Sequence, residues 1–303
     1  MDGVLGVDKA RGPTSHDVVQ RVRRCLSVRR VGHAGTLDPD ATGVLVLCLG
    51  QATRVSRFLM EGDKEYRTTL RLGYRTRTGD RTGDRVGPVR SVSVGANDIH
   101  AACRRWVGDV EQVPPMVSAV KQGGVRLYKL ARAGVDIPRR ARRVRISAIE
   151  VLRVCLPFVT LRVRCGSGTY IRVLGEDIGD ALGCGAHVFT LRRTRVGVVG
   201  LEECLRWTDL LREESRDRIR EAVLSADAAL EFLPALTMDE RDSRRIRTGL
   251  GIRLVANGVG RQGTGWVRLR DPSGEFVAVG SVSEGVSDGR VTITPTRVLS
   301  PLG

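Results

Sequence analysis

The sequence predicts an α+β chain that ends in a small β-rich module. Three observations lead there. Apolar stripes at helical spacing (Val18, Val22, Leu26; then Ile171, Leu174, Ile178, Leu182) alternate with strand-like runs such as Gly43 to Gly50 and Tyr66 to Gly73. The runs Val144 to Leu156 and Val159 to Cys165 can pair through a turn at Pro157. From Leu233 to Leu299, short apolar runs are split by Asp271-Pro272-Ser273-Gly274 and Ser287-Asp288-Gly289, which gives the β-rich module. A length of 303 residues suits about two domains.

Each element has a local reason. Thr14 or Ser15 can cap the first helix, whose stripe carries Val19 beside it. Gly32 to Gly43 is too rich in Gly and Pro for helix or strand. Gly43 to Gly50 is apolar on both faces, so a central, buried strand is expected. In Tyr66 to Gly73, Tyr66, Thr68, Leu70 and Leu72 face one way and Arg67, Thr69 and Arg71 the other. Residues 74–97 hold few apolar groups and are expected to be an exposed excursion. A helix is expected from Asp98 to Trp106. Pro114-Pro115 then breaks the chain before a basic, flexible stretch through Gly134.

Charge and composition exclude several function classes. Fifty Lys and Arg stand against thirty-four Asp and Glu, a net of +16. That excess points to a polyanionic partner. Residues 1–199 hold 35 basic and 18 acidic side chains, residues 200–229 hold 5 and 8, and residues 230–303 hold 10 and 8. The signal therefore lies in the first two-thirds, and the acidic stretch after Gly200 reads as a helix-like junction. The longest clean aliphatic run, Val44 to Leu49, falls far short of the ~20 residues a membrane span needs. Asp2 and Asp8 with no apolar signal core argue against secretion. Seven single cysteines with no Cys-x-x-Cys lack the usual zinc and redox spacings and suit a reduced cytoplasm.

Asp38, in a Gly-rich loop before a buried strand, admits three readings from the residues alone. One is a plain Asp-Pro turn. Another is a Ca²⁺ loop through Asp38, Asp40, Thr42 and Gly43, which fails because the position of the bidentate glutamate is Leu49. The third is an aspartyl nucleophile. Asp38-Pro39-Asp40-Ala41-Thr42 matches the D-x-D-x-T of Mg²⁺-dependent aspartyl phosphatases, but there the aliphatic strand precedes the aspartates, and here it follows them.

The wider context is more specific. The blocks are Val7-Asp8-Lys9, Gly12 to Val19, Gly32-His33-Ala34-Gly35-Thr36-Leu37-Asp38-Pro39 and Ala41-Thr42-Gly43. Gly50 to Arg54, Lys64-Glu65-Tyr66, Pro114-Pro115 with Ser118, Ala119 and Lys121, and Gly168-Thr169-Tyr170-Ile171-Arg172 follow. Gly185-Ala186-His187-Val188 and Leu191-Arg192-Arg193-Thr194 close the series. In this order, over about two-thirds of the chain, they resemble the TruB family of tRNA pseudouridine-55 synthases.

The resemblance implies a mixed, largely antiparallel sheet flanked by helices, the pseudouridine synthase fold, over residues 1–229. An RNA-gripping insertion is expected at about 113–135, and a PUA-like RNA-binding domain over 230–303. The implied reaction is an isomerisation in which the uracil N1–C1′ bond breaks and C5 joins C1′, with no cofactor and no metal. The implied partner is the T-stem loop of tRNA, met by a cytoplasmic monomer without a membrane.

By the same resemblance Asp38 is the catalytic aspartate, acting by attack on C1′ or C6 or by taking the C2′ proton. An aspartate with an ordinary pKa near 3.9 is anionic at neutral pH. Arg172 is expected to pair with it. An arginine in the first turn of a helix opposes the macrodipole, at a cost of about 0.3–1 kcal/mol, which a carboxylate partner would offset. Tyr66 is expected to stack on the extruded uracil and to help remove the C5 proton, although a phenol near pKa 10 is a poor base. Tyr170 is the second pocket tyrosine. His33 fills the gap left by the flipped base. Leu191 walls the base pocket or packs in the core, and Lys9 and Lys121 serve an RNA phosphate or the structure. Arg126, Lys129 and Arg132, at helical spacing, could meet phosphates.

The chain departs from the family at Ala10, at Asp40, which adds a negative charge near Asp38 in place of a usual leucine, and at Val117. A non-catalytic tRNA-binding or tRNA-folding protein on the same scaffold is the rival reading.

Overall fold

The computed structural model describes residues 1–118, 120–212, 215–255, 265–284 and 290–299. The main sheet is built from seven long strands: β1 (Gly3–Lys9), β2 (Thr42–Leu49), β3 (Lys64–Leu72), β4 (Gly108–Gln112), β5 (Arg142–Cys155), β6 (Phe158–Cys165) and β7 (Ala186–Val196). Their spatial order is β1-β2-β7-β3-β6-β5-β4, with short strands such as Val31–His33 and Leu205–Arg206 added at the sides. Neighbours along this path are antiparallel except β2 and β7, which run parallel. The sheet is thus mixed and largely antiparallel.

The first helix, Ser15–Leu26, starts where the cap residue dictates. The Thr14 hydroxyl accepts from the Asp17 N–H at 3.1 Å, and the Asp17 carboxylate accepts from the Thr14 N–H at 2.8 Å. Val18, Val19, Val22 and Leu26 are buried against Leu5, Leu45, Leu47 and Leu49 of the sheet. Each such side chain contributes about 1.5–3 kcal/mol. On the same face, the helix Ile171–Ala181 buries Ile171, Leu174 and Ile178 against Tyr66, Leu70 and Leu72 of β3. β3 keeps the expected alternation, and β5 and β6 form the expected hairpin. The helix near residue 100 spans Ala96–Arg104.

Within the first 199 residues, three stretches differ from the sequence expectation. β7, at the centre of the sheet, carries register shifts between Val188 and Thr190 and between Arg193 and Arg195. Each shift flips the in–out alternation, so no two-residue period announces the strand. Residues 74–97 are exposed only in their later part. Residues 79–81 fold back onto β7, where the Arg81 N–H donates to Val188 O at 2.9 Å and the Val188 N–H to Gly79 O at 2.9 Å. The stretch after Pro115 holds a small hairpin, Lys121–Gln122 with Val125–Arg126, and a short helix, Leu127–Arg132, anchored by buried Leu127. Ala119 and the side chains of Lys121 and Arg132 lie outside the described residues.

The acidic junction is a series of short pieces rather than one helix, and Leu205–Arg206 and Val223–Leu224 pair with β1. A second sheet then begins, in the order Ala235–Thr237, Trp266–Arg270, Phe276–Glu284, Arg290–Val298, Ile252–Val255. Its expected turn at 271–274 is held by Asp271 Oδ1, which accepts from the N–H groups of Ser273 and Glu275, both at 3.0 Å. The expected turn at 287–289 lies outside the described residues. The module also contains a helix, Glu240–Arg247, which reading by strands alone overlooked because Ile246 is its one aliphatic residue. The two sheets share a core. Phe58 meets Trp266 edge-on at 5.1 Å, the Arg57 guanidinium lies over both rings, and Arg54 Nη1 donates to Val298 O at 2.8 Å.

Candidate active site

The loop around Asp38 is held from both sides. Ser15 Oγ donates to Leu37 O at 3.0 Å and accepts from the Leu37 N–H at 2.9 Å. On the other side the Gly12 N–H donates to Pro39 O at 2.9 Å. Lys9 Nζ donates to the same carbonyl at 3.2 Å, and to Ala10 O and Pro13 O at 2.9 Å each. Three acceptors match the three N–H bonds of an ammonium. Burial pushes that ammonium down to about 8, against the pull of Asp38 and Asp40, so it stays charged at neutral pH. Lys9 is fully buried. Its contacts are those of the structural one of its two expected roles.

Asp38 itself is 37% exposed and faces a cleft of about 1270 Å³. Arg172, 5% exposed, meets it from the start of the helix Ile171–Ala181, with Nε 3.0 Å from Asp38 Oδ2. The two terminal nitrogens of Arg172 donate to Thr78 O at 2.9 Å and Val117 O at 2.7 Å. Every nitrogen of the guanidinium therefore faces an oxygen acceptor, which sets the direction of its plane. A second carboxylate, Asp80, lies 4.0 Å from Arg172 Nε. Asp80 Oδ1 accepts from the hydroxyls of Thr78 (2.7 Å) and Thr82 (2.6 Å) and from the Thr82 N–H (2.9 Å). Gly79 (φ +73°) lets this loop press on the helix, where an added Cβ would come 2.9 Å from Glu176 Oε1.

Behind the loop lies Arg193 of β7, 2% exposed. Its Nε donates to Val44 O at 2.7 Å, and its terminal nitrogens to Thr36 O at 3.3 Å and Gly35 O at 3.1 Å. The β2–β7 crossing brings Gly43 (φ +102°) so close that a Cβ there would sit 2.1 Å from Arg193 O. Arg193 sits opposite Tyr66 across the β7–β3 pair; burial raises that phenol's pKa more than the charge of Arg193 lowers it. Tyr66 thus keeps its proton at neutral pH and offers no phenolate base there.

The cleft walls include Thr14, His16, His33, Val117, Arg126 and Arg172. His33 Nδ1 is buried without a hydrogen-bond partner, and burial, followed by Arg193, lowers the ring's pKa, so the imidazole is neutral at pH 7. Tyr66, Tyr170 and Leu191 do not line the cleft. Tyr170 is half-buried, its N–H donating to Gln112 Oε1 at 2.9 Å. Leu191 packs between the two cores on the helix-covered face.

The structure therefore brings Asp38 and Arg172 together, sets Tyr66 opposite Arg193, and leaves Tyr170 and Leu191 half-buried outside the residues that line the cleft. The Lys121 side chain lies outside the described residues. Sequence reading gave no role to Arg193 and missed Thr78 and Asp80 altogether. The one signal for the latter pair was Thr78-Gly79-Asp80-Arg81-Thr82, a tight-turn composition inside a segment otherwise read as exposed. Asp40 is held by Arg81 and Arg11. Among the described residues no group of three or more His, Cys, Asp or Glu is placed to hold a metal, and no helix is long and apolar enough to cross a membrane.

Comparison with known proteins identifies the family. Residues 23–171 match the family described as TruB family pseudouridylate synthase (N terminal domain), and residues 172–231 the tRNA pseudouridylate synthase B C-terminal domain. The chain is 41% identical over 302 residues to tRNA pseudouridine synthase B of Pseudomonas aeruginosa (strain UCBPP-PA14), covering 99% of this chain and 96% of that protein. It is 44% identical over 289 residues to the Burkholderia pseudomallei (strain 668) protein of the same name, covering 94% and 95%. A chain in the crystal structure of a Cbf5-Nop10-Gar1 complex superposes with a TM-score of 0.75 at 29% identity, over 99% of this chain and 85% of that one. A chain of an H/ACA RNP bound to a substrate RNA containing 2′-deoxyuridine gives 0.72 at 27%, with coverage of 99% and 85%.

Proposed function

The chain belongs to the TruB family of pseudouridylate synthases, and on that premise we propose that it converts the T-loop uridine at position 55 of tRNA to pseudouridine, with Asp38 acting on the sugar–base linkage. The observation that carries this reading is the pair at the cleft floor: a half-exposed Asp38 carboxylate aimed by an almost fully buried Arg172 at 3.0 Å.

The reaction is an isomerisation that needs the base out of its stack, at a cost of a few kcal/mol. His33, neutral and with an unpartnered Nδ1 at the cleft wall, is suited to stack or hydrogen-bond where the base has left. Asp38 is the group that attacks C1′ or C6, or takes the C2′ proton; all three routes need a carboxylate held still. Arg172 supplies that restraint, its other nitrogens being fixed on backbone carbonyls. Tyr66, protonated and opposite Arg193 across the sheet, serves as a ring and a hydroxyl rather than as a base. Arg126 at the cleft wall is placed to meet an RNA phosphate. The β-rich module from about residue 230 adds accessory RNA contact, and a tRNA substrate sets the work in the cytoplasm.

The test is a carbodiimide–reverse-transcription map of tRNA from cells with and without this chain, with purified Asp38→Asn alongside wild type. Loss of the stop at position 55 in cells lacking the chain, and loss of turnover with tRNA binding retained in Asp38→Asn, is the expected result. Turnover by Asp38→Asn at the wild-type rate would remove the aspartate from the chemistry.

A further inference from the structure

Asp40 follows Asp38 by two residues and is bound by Arg81 through both oxygens, Nε to Oδ2 at 3.0 Å and Nη2 to Oδ1 at 2.8 Å. The two side chains are 22% and 27% exposed, whereas the further partner of Asp40, Arg11 at 3.2 Å, is half-exposed. Arg81 adjoins Asp80, the second carboxylate facing Arg172. Its backbone N–H is fixed to Val188 O of β7, and its guanidinium lies 5.6 Å over the Phe189 ring. Two loops, each presenting one carboxylate to Arg172, are thus joined a second time by a forked ion pair.

We propose that Asp40 and Arg81 are positioning residues that hold the loop of Asp38 in register with Arg172, resting on the reading of Asp38 given above. Neither touches the reacting atoms. The fork matters because a bidentate arginine–carboxylate pair sets direction as well as distance, and because a displacement of about 1 Å at a reacting group can cost about 100-fold in rate. Arg81 also answers a charge problem. Without it, Asp40 would add a third carboxylate beside Asp38 and Asp80, with the half-exposed Arg11 as its remaining ion-pair partner among the described residues. Arg81 without Asp40 would be a partly buried cation with no carboxylate partner.

The experiment measures kcat and KM for tRNA, with melting temperature, for Asp40→Leu, Arg81→Ala, Arg81→Lys and the double variant Asp40→Leu/Arg81→Ala. Each single change is expected to lower kcat about 10- to 100-fold with KM nearly constant. Arg81→Lys, which cannot form the fork, is expected to rescue little. The double variant, which removes both charges together, is expected to turn over at least about tenfold faster than the product of the single effects requires. Additive effects, an unchanged kcat in the singles, or losses that track melting temperature would each overturn the proposal. Wild-type turnover separates the two readings: if wild type forms no pseudouridine the function is wrong, and if it does while these variants match it, only the positioning role falls.

Discussion

Arg172 gives Asp38 its Nε alone, at 3.0 Å, and keeps both terminal nitrogens for the carbonyls of Thr78 and Val117. One side chain therefore joins the catalytic loop, the folded-back segment at 78–82 and the stretch after Pro115. A buried guanidinium at the start of a helix is unfavourable by itself. The Asp38 carboxylate and the two carbonyls offset that.

Lysine cannot reproduce this arrangement, because one ammonium does not span three partners in a plane. Arg172→Lys and Arg172→Ala are both expected to lower kcat by about 100-fold or more. Binding of tRNA should change little, since Arg172 is 5% exposed and out of reach of phosphates. Single-turnover rates and filter binding on the same preparations distinguish the two effects.

Lys9 holds the loop from below, through Pro39 and two further carbonyls. Lys9→Met keeps the stem and removes all three donors, leaving buried acceptors unmet. The expected loss is about 1–3 kcal/mol of stability, read from denaturant melts. A fall in kcat should accompany it, because Pro39 follows Asp38 directly. Full activity in a destabilised Lys9→Met would show that the loop holds its place without this cage.

Asp177, on the helix that carries Arg172, has its carboxyl pushed up to about 6 by burial, with Arg75 opposing. An unfolded aspartate titrates near 3.9. Between those values the folded chain binds more protons than the unfolded one, so unfolding free energy falls as pH rises through the window. Asp177→Asn is expected to flatten that slope. It should raise the melting temperature at pH 7.5 and leave it nearly unchanged at pH 4. Scanning melts across pH 4–8 give the check, and an identical slope in both proteins would contradict it.

Much of the fold was legible because its cues are local. The cap at Thr14 and Asp17, the alternation of Tyr66 to Leu72 and the hairpin around Pro157 each depend on a few neighbours in the chain. β7 was not legible as a strand. Its two register shifts break the period by which strands are recognised, even though it is the strand that joins the halves of the sheet. The segment at 78–82 was misread for a related reason. Polar composition marks it as exposed, yet Asp80 and its threonine partners satisfy one another and turn it inward. For Lys9 the sequence left a phosphate or a structural role open, and only the fold shows three carbonyls around its ammonium.

By itself the sequence determined the identity of the chemical groups: an aspartate after His33 in a glycine-rich loop, an arginine opening a helix, and an excess of cations in the first two-thirds of the chain. Only the tertiary structure decided which cation meets which carboxylate: Arg172 with Asp38, Arg81 with Asp40. The physical reason is that ion pairs form between side chains brought together by sheet order and by bulges. A single-residue shift of register would turn every such side chain to the opposite face.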